Sequence, residues 1–521
     1  MLLVGTYHHS RGHYRTIQAA VDAARPGDWV LVGPGDYHEQ ADHRASRGPQ
    51  ATGAPAGVII AKPRVHVRGM DRNKVIVDGT LPGKGGSCSS DKARQDFGPL
   101  GDDKKPLGRN GILVWKADGV HVDNLTVCNF LGGGGSAGNE IWWNGGDGSG
   151  KIGLGPFEGS YLNATSTFYE SEDTAATYGL FTSNANGPGV LDHTYGSNFN
   201  DANYYIGACA QVCNQVVNHS WSEYSALGFS GTNAGGSLVI ENSEFDQNKD
   251  GFDTNSQNND DSPSPQDGAC PGGATSPITH TKSCWVFMNN YVHDNNNADT
   301  PGAGSAAAGP VGTGISISGA RDNTVMNNRF ENNAAWAIIL VPYPDTETPP
   351  AGQDCQGGIK SPGDVCLFDD WGNEIAGNTF KDNGKYGNDT NGDIAEITLT
   401  QAPTNCFHGN TETGGGDVKT SPSGLQQSKP KCGSDAPPDS NPSFTNQVVC
   451  DSQFFSSLTP AGGTPCPPGA SYPTRQKVVM HRLPTAQLPT MPKPCAGVPA
   501  NPWCGRSDPD HDGDFDRPGQ R

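Results

Sequence analysis

The stretch GISISGARDNTVMNNRFENNA, residues 314–334, contains the pattern that decides the fold. It begins with an apolar strand-like run, passes through a polar turn and a second short run, and ends at an asparagine-rich corner. The same order recurs in residues 204–227 and 228–250, so that about 24 residues complete one repeat. A repeat of this length predicts a solenoid in which each coil of short strands stacks on the next.

The register of these repeats predicts which side chains stack. Asparagine tolerates the left-handed backbone of a sharp corner, and its amides bond to one another along the coil axis. We expect an inner apolar row formed by Ile206, Phe229, Phe252, Ile315 and Ile338. We expect two adjacent corner rows, Asn218, Asn242, Asn289 and Asn327, and His219, Ser243, Asn290, Asn328 and Asn378.

Residues 16–25 predict a short amphipathic helix ahead of the first coil, with Thr16 as its N-cap. A helix in this place covers the open end of a solenoid. The repeat is lost after residue 410. We therefore expect a parallel β-helix domain with an N-terminal cap over residues 1–410. Residues 411–521 are expected to form an irregular, cysteine-containing segment packed on the helix, and a separate small domain is the alternative.

The opening TIQAAVDAARPGDWVLVGPGDY, residues 16–37, and rungs such as TVMNNRFENN, residues 324–333, carry a resemblance to a known group. Over about residues 14–410, the chain resembles the parallel β-helix repeat proteins of the pectin-lyase-like superfamily. The resemblance implies an all-β, right-handed parallel β-helix with loop insertions. It leaves the activity open, because the group contains lyases, hydrolases, epimerases and proteins with no known activity.

One short stretch is similar to a catalytic motif of this group. Gly251-Phe252-Asp253 resembles part of the catalytic stretch of mannuronan C5-epimerases. Thr254-Asn255-Ser256 then stands where that stretch has Pro-His-Glu, so the histidine of the motif is missing. The patterns of polygalacturonases and pectate lyases are missing as well, and no known activity of the group is therefore carried over to residues of this chain.

The charge of the chain limits its partners. Acidic residues outnumber basic ones by 55 to 35, for a net charge of -20. This balance disfavours nucleic acids and anionic membranes as partners, because both require a positive face. It permits bound cations, and it would repel a polyanionic polysaccharide unless cations intervene.

The fourteen cysteines include no CxxC pair, and they favour a disulfide-bonded extracellular protein. No run is long and apolar enough to cross a membrane. We expect a secreted protein, although no signal peptide is visible in this sequence. Short loops bring cysteines together at small entropic cost. The expected local pairs are Cys209–Cys213, Cys270–Cys284 and Cys355–Cys366.

Residues 246–257 carry the strongest chemical signal. Because side chains alternate along a strand, Asp253 faces solvent if Phe252 faces the core, and Asp250 leans over the same surface. Paired carboxylates act as acid and base on a glycosidic bond or ligate cations. We expect Asp253, Asp250 and Asp201 as the catalytic carboxylates, near the insert at 132–177; the alternative is that they form solvent-facing turns.

Other side chains are candidates for contacts with sugars or metal ions. Exposed aromatic rings suit the apolar faces of sugars, and two adjacent tryptophans in a glycine-rich loop cannot easily both point inward. The alternative is that the aromatic rings pin the loop onto the coil. The expected substrate-binding residues are Trp142, Trp143, Tyr205, Asn255, Gln257 and His219. In the tail, Asp508, Asp510 and Asp512 resemble a calcium loop without its last glutamate. Calcium is accordingly the one cofactor indicated, and an acidic tail without a tight site is the alternative.

Two functions of different classes follow from the sequence. The first is an enzyme that degrades or modifies an extracellular polysaccharide, as a glycoside hydrolase or a polysaccharide lyase. The second is a non-catalytic surface or filament protein that uses the coil as a rigid rod. Neither interpretation involves nucleic acid or membrane insertion.

Overall fold

The computed structural model describes the greater part of the chain, in the following residues. They are 1–40, 55–146, 153–209, 212–232, 234–255, 283–302, 308–345, 355, 358–361, 365–400, 402–432, 435–439, 441–451 and 472–505. The chain divides into two units, one formed by residues 1–197 with residues from 480 onward, the other by residues 198–479. Parallel strands stack in both, and the right-handed parallel β-helix predicted from the sequence is confirmed.

The first unit contains the predicted helix, which spans Ile17–Ala23. It does not precede the first strand of the coil, because Leu2–Val4 comes before it and pairs with Trp29–Val32. The Thr16 side chain accepts a hydrogen bond from the Ala19 N–H, so the predicted N-cap is confirmed. Short 3-10 helices span Lys92–Arg94, Glu172–Thr174 and Thr485–Gln487. The strands are Leu2–Val4, Thr6–Tyr7, Ser10–Arg11, Trp29–Val32, Gly35–Tyr37, Ala56–Ile60, His66–Gly69, Val75–Asp78, Asn110–Trp115, Val120–Cys128, Asn139–Asn144, Phe157–Thr165, Tyr178–Ser183, Gly189–Asp192 and Tyr195–Ser197.

The second unit is a coil with three faces, each a stack of parallel strands. The first face contains Ala202–Gly207, Leu227–Ser230, Asp250–Asn255, Thr313–Ser318, Trp336–Val341, Gly392–Glu396 and Thr420–Ser421. The second face contains Gln215–Asn218, Leu238–Glu241, Trp285–Met288, Thr324–Met326, Glu374–Ala376 and Cys406–His408. The third face contains Trp221–Glu223, Glu244–Asp246, Tyr291–His293, Arg329–Glu331, Thr379–Lys381 and Thr411–Glu412.

The second unit also contains smaller elements outside the three faces. One is an antiparallel sheet of Tyr343–Asp345, Ile359–Ser361 and Val365–Phe368. Another is the pair Ala402–Pro403 and Asp435–Ala436. Helices span Leu425–Ser428 and Pro442–Asp451. The domain boundary at residue 410 stays a prediction, and Thr411–Glu412 and Thr420–Ser421 still pair with strands of the coil.

The inner apolar row is confirmed over most of its length. Phe252 lies opposite Ile315, which lies opposite Ile338, and the Phe229 ring stacks on Phe252 at 4.6 Å. The first member is wrong, because Tyr204 rather than Ile206 pairs with Phe229. Residues two apart on a strand face the same side, so alternation alone cannot distinguish this shift.

Buried asparagines form a ladder at the corner between the second and third faces. The Asn328 side-chain oxygen accepts the backbone N–H of Asn290 at 2.9 Å, and Asn378 does the same for Asn328 at 2.9 Å. This part of the predicted row is confirmed. In the first rung, however, the ladder position is held by Ser220, whose N–H bonds to the Ser243 hydroxyl, and His219 lies one residue earlier and is exposed.

Five disulfides join cysteines of the described residues: Cys88–Cys128, Cys209–Cys213, Cys355–Cys366, Cys406–Cys432 and Cys495–Cys504. The predicted pairs Cys209–Cys213 and Cys355–Cys366 are confirmed, and Cys270 lies outside the described residues. Within the described part of the chain, no helix has the length and apolar character needed to cross a membrane.

Candidate functional site

Asp253 lies on the outer side of the first face, as the alternation of side chains predicts. Its strand neighbour Phe252 is fully buried, while Asp253 keeps part of its surface exposed. Asp253 lies opposite Ser230 on one side and Ser316 on the other. The hydroxyls of Ser316 and Ser318 both donate to its Oδ1, the latter at 2.9 Å. The carboxylate is therefore held by side-chain hydroxyls rather than by backbone groups.

Asp250 does not lean over the outer surface, and this part of the prediction is wrong. Its side chain has no exposed area. Residues 308–310 lie over it, and a Cβ added at Gly309 would come within 2.7 Å of the Asp250 Oδ2. Asp250 accepts the Phe252 N–H at 3.2 Å, and its Oδ2 lies 3.1 Å from the Ser316 Oγ. A segment that is distant in the sequence thus buries Asp250, although the local sequence predicts an exposed corner.

The two carboxyl groups share one partner and influence each other. The Ser316 hydroxyl contacts both, so they lie within a few ångströms. Burial, and next the charge of Asp253, raise the pKa of Asp250 well above its usual value. Burial also raises the pKa of Asp253, while the hydrogen bonds from Ser316 and Ser318 lower it. The pKa shifts differ in size between the two carboxyl groups, and an acid and a base of unequal strength side by side suit acid–base chemistry.

The remaining residues predicted for this site are spread over the first face. Tyr205 pairs with Ser230, so it shares the outer row of Asp253 at a distance of two rungs, about 9.6 Å. Asp201 directly precedes the strand Ala202–Gly207, whose first residue lies two rungs from Asp250. Asn255 ends its strand opposite Ser318. Gln257 lies outside the described residues, as do Asp508, Asp510 and Asp512.

Trp142 and Trp143 of the first unit lie in the strand Asn139–Asn144 rather than in a surface loop. Trp143 is fully buried, 5.6 Å from the Phe157 ring, and cannot offer its ring to a sugar. Trp142 points the other way, stacks on Phe181 at 4.8 Å and donates to the Ser183 hydroxyl. It is only 6% exposed. A strand sends adjacent side chains to opposite faces, so the two rings do not both point inward. The expectation that the rings are exposed is nevertheless wrong, because both are buried.

A groove of about 830 Å³ runs along the corner between the second and third faces of the second unit. We call it the corner groove. Five successive rungs line it, and each rung contributes residues from equivalent positions around the corner. Its lining residues are His219, Ser220, Trp221, Asn242, Ser243, Glu244, Asn289, Asn290, Tyr291, Asn327, Asn328, Arg329, Gly377 and Thr379.

Two rows of side chains give the corner groove its chemistry. The exposed row contains His219, Asn242, Asn289 and Asn327. All four have a left-handed backbone, with φ between 46° and 56°, and this turns their side chains away from the core. The second row is formed by the first residues of the third-face strands, Trp221, Glu244, Tyr291 and Arg329. Amides, an indole, a phenol and charges of both signs therefore line one channel.

The charged groups of the corner groove are largely paired. Arg329 lies over the Tyr291 ring at 4.5 Å and forms an ion pair with Glu331. The Tyr291 hydroxyl donates to Glu331 at 3.1 Å. Lys381 also bonds to Glu331, and this contact lowers the pKa of Glu331 to about 2. The groove wall is thus fixed by a network and carries little net charge.

The structure does not bring all the predicted site residues together. His219 lies at the corner between the second and third faces, while Asp253 and Tyr205 lie on the first face. The sequence interpretation missed the corner groove altogether, although it placed His219 near its position. The sequence contained a signal for the groove, because a large or charged residue follows the buried ladder residue in successive rungs. These residues are Trp221, Glu244 and Tyr291.

No protein-family model matches the chain, and no curated protein sequence matches it. Solved structures with a similar fold include the A-module of a mannuronan C-5 epimerase from Azotobacter vinelandii, at 13% identity and a TM-score of 0.43, covering 78% of this chain and 92% of that chain. An alginate lyase from Paenibacillus is similar at 12% identity and a TM-score of 0.34, covering 78% and 95%. Pectate lyase Pel9A is similar at 14% identity and a TM-score of 0.35, covering 81% and 78%. At these identities the likeness concerns the fold alone.

Proposed function

We propose that this protein binds an extracellular polysaccharide, and that the polysaccharide lies along the corner groove of the second unit. The observation that carries the proposal is the pair of side-chain rows that follow the coil axis over four rungs. Neighbouring rungs are about 4.8 Å apart, so the groove presents similar groups over roughly 14 Å. A channel with a repeating lining suits a polymer of repeating units better than a compact small molecule.

The lining suits the hydroxyl groups of sugars. A hydroxyl both donates and accepts hydrogen bonds, and so does a side-chain amide. The exposed Asn242, Asn289 and Asn327 offer such an amide in three consecutive rungs. A coil that served only as a rigid rod would not need these groups to converge on one groove. This convergence favours the polysaccharide-binding interpretation over the structural one.

The charges favour an uncharged polysaccharide. Glu244 and Arg329 bring one charge of each sign to the groove, and the whole chain has a net charge of -20. A polyanion would meet long-range repulsion without a positive surface to offset it. We therefore expect neutral glucans, mannans or xylans to bind more tightly than pectate or alginate.

Glycine substitutions test the groove without straining the backbone. Asn242, Asn289 and Asn327 have positive φ, which glycine adopts freely, so replacing all three removes only their amides. Each lost hydrogen bond is worth about 0.5–1.5 kcal/mol, so the triple variant should bind an identified polysaccharide roughly tenfold more weakly or worse. Isothermal titration after a screen of neutral and acidic polysaccharides measures this.

The matched control is Asp382→Gly. Asp382 is also an exposed corner residue with positive φ, but it follows the third-face strand Thr379–Lys381 and does not line the groove. This variant should bind like the wild type. Equal binding by the triple variant and the wild type would place the polysaccharide elsewhere.

A second function, chemical modification of the polysaccharide, is supported by the Asp250–Asp253 pair. The supporting observation is the single Ser316 hydroxyl that contacts both carboxyl groups. In this proposal Asp253 contacts the sugar, and the buried Asp250 is a positioning residue that tunes the charge of Asp253.

The proposed location is extracellular. Five disulfides among the described cysteines support it, because such bonds persist in oxidising compartments. A polysaccharide ligand fits the same location.

A further inference from the structure

A cluster of metal-ligating side chains lies beside the corner groove, on the third face. Glu244 and Asp246 are on one strand and point outward together, because Phe245 between them is buried in the core. His293 lies on the next strand, directly opposite Asp246. One nitrogen or oxygen atom from each of Glu244, Asp246 and His293 lies within 4.8 Å of the other two. Two successive rungs thus bring three ligand atoms to one point.

The hydrogen bonds of His293 leave one ring nitrogen directed at this point. Nδ1 lies 2.8 Å from the Asp294 Oδ2, and Nε2 lies 2.9 Å from the Glu244 Oε1. A neutral imidazole that donates Nδ1–H to Asp294 turns the Nε2 lone pair toward the Glu244 carboxylate. Two facing lone pairs require a cation between them, either a proton or a metal ion.

The surroundings of the cluster resemble the outer shell of a metal site. Metal-binding histidines commonly donate their second nitrogen to a carboxylate, and ligating carboxylates are themselves hydrogen-bonded. Asp294 plays the first role for His293, and Asn332 in turn donates to Asp294. Trp221 plays the second role, since its indole N–H donates to the Asp246 Oδ1 at 2.6 Å. Both inner groups are therefore oriented by partners that do not enter the cluster.

We propose that Glu244, Asp246 and His293 bind a divalent transition-metal ion such as Zn²⁺ or Mn²⁺. One imidazole and two carboxylates form a mixed nitrogen and oxygen ligand set that suits these ions. Three carboxylates, including Asp294, surround a single imidazole, and a doubly charged ion balances them better than one proton does. Glu244 also lines the corner groove, so the proposed metal site adjoins the groove.

The test uses the whole chain, freed of metal with a chelator and titrated with Zn²⁺ in the absence of polysaccharide. Competition with a chromophoric chelator should reveal one tight site per chain. His293→Gln and, separately, Asp246→Asn should weaken that site at least a hundredfold. Asp294→Asn, which changes only the outer partner, should weaken it by about 10- to 100-fold.

His408→Gln is the matched control for loss of a histidine beside a carboxylate. His408 contacts Glu374 at 3.0 Å across neighbouring rungs, as His293 contacts Glu244, but among the described residues it has no second carboxylate to complete a three-ligand cluster. Its Zn²⁺ affinity should equal that of the wild type. The proposal is overturned if the wild type has no tight site, or if His408→Gln loses it as fully as His293→Gln does.

A second measurement distinguishes the loss of a metal ligand from a loss of folding. Mn²⁺ bound to the wild type should give an electron paramagnetic resonance spectrum that Asp246→Asn lacks, at a melting temperature close to that of the wild type. A spectrum that persists in Asp246→Asn would contradict the assignment. Because no polysaccharide is present, the result does not depend on whether the corner groove binds one.

Discussion

The corner groove and the Asp250–Asp253 pair belong to the same coil and use its geometry in opposite ways. At the corner, a left-handed residue in each rung turns an amide outward, so four similar positions line up along the axis. On the first face, the pleat brings one carboxyl outward, and residues 308–310 cover the other. At the corner, similar side chains are therefore aligned over several rungs, which suits the binding of a polymer. On the first face, two carboxyl groups lie close together, which suits acid–base chemistry.

The largest expected effect concerns the chemistry of the first face. Asp253→Asn should lower turnover of an identified polysaccharide by about 10²- to 10⁴-fold, the usual contribution of a general acid or base. Its melting temperature and its polysaccharide affinity should hardly change, because an isosteric amide at a part-exposed position disturbs little packing. Assays for released reducing ends and for ultraviolet-absorbing unsaturated sugars measure turnover. Full activity in this variant would show that Asp253 on the first face does not take part in the reaction.

The second prediction separates the two asparagine rows at one corner. Asn328→Ala should destabilise the protein by roughly 1–3 kcal/mol, because the Asn290 N–H and the Phe287 carbonyl lose their buried partner. Asn327→Gly, one residue earlier, should change the free energy of unfolding by less than about 0.5 kcal/mol, since its side chain is exposed. Urea denaturation measures both. Equal losses of unfolding free energy in the two variants would mean that the exposed asparagine row stabilises the fold as the buried row does.

The third prediction concerns the buried carboxyl of the pair. The pKa of Asp250 is raised, so between its unfolded value of about 3.9 and its folded value the folded state binds more protons. Its stabilising contribution is thus present below about pH 4 and is lost as pH rises through the folded pKa. Asn cannot ionise, so Asp250→Asn should be more stable than the wild type at pH 8 by roughly 1 kcal/mol or more.

The control for this pH dependence is Asn327→Gly, which changes an exposed corner residue and removes no ionisable group. Chemical denaturation at pH 4 and pH 8 should give the same difference between the two pH values for this variant and for the wild type. If Asp250→Asn were equally destabilised at both pH values, the buried carboxyl would not carry the proton that the account assigns to it.

The smallest effect is expected from salt on binding to the corner groove. Its charges are balanced, so affinity for a neutral polysaccharide should change less than about twofold between roughly 0.05 and 0.5 M salt. Titration at several salt concentrations checks this. A steep loss of affinity with salt would show that charges, rather than the amide row, hold the polysaccharide.

The sequence predicts the coil because its signals are local and repeated. Alternation places Phe252 inward and Asp253 outward, and the asparagine corners give the ladder through Asn290, Asn328 and Asn378. The errors are errors of register. A shift of one residue moves the first ladder position from His219 to Ser220, and a shift of two replaces Ile206 with Tyr204. Unequal loops between rungs hide such shifts.

The candidate sites depend on contacts that the local pattern does not contain. Asp250 is buried by residues 308–310, far along the chain, and Trp143 is buried because its segment forms a strand. The corner groove exists only when five rungs are stacked in the correct register. A sequence that predicts each rung correctly still does not predict the surface that they form together.

A crystal structure of the protein with an oligosaccharide cut from its tightest-binding polysaccharide tests directly where the polysaccharide lies. We predict sugar rings along the corner groove, within hydrogen-bonding distance of Asn242, Asn289 and Asn327. Sugar rings bound on the first face beside Asp253, with the corner groove empty, would contradict this prediction.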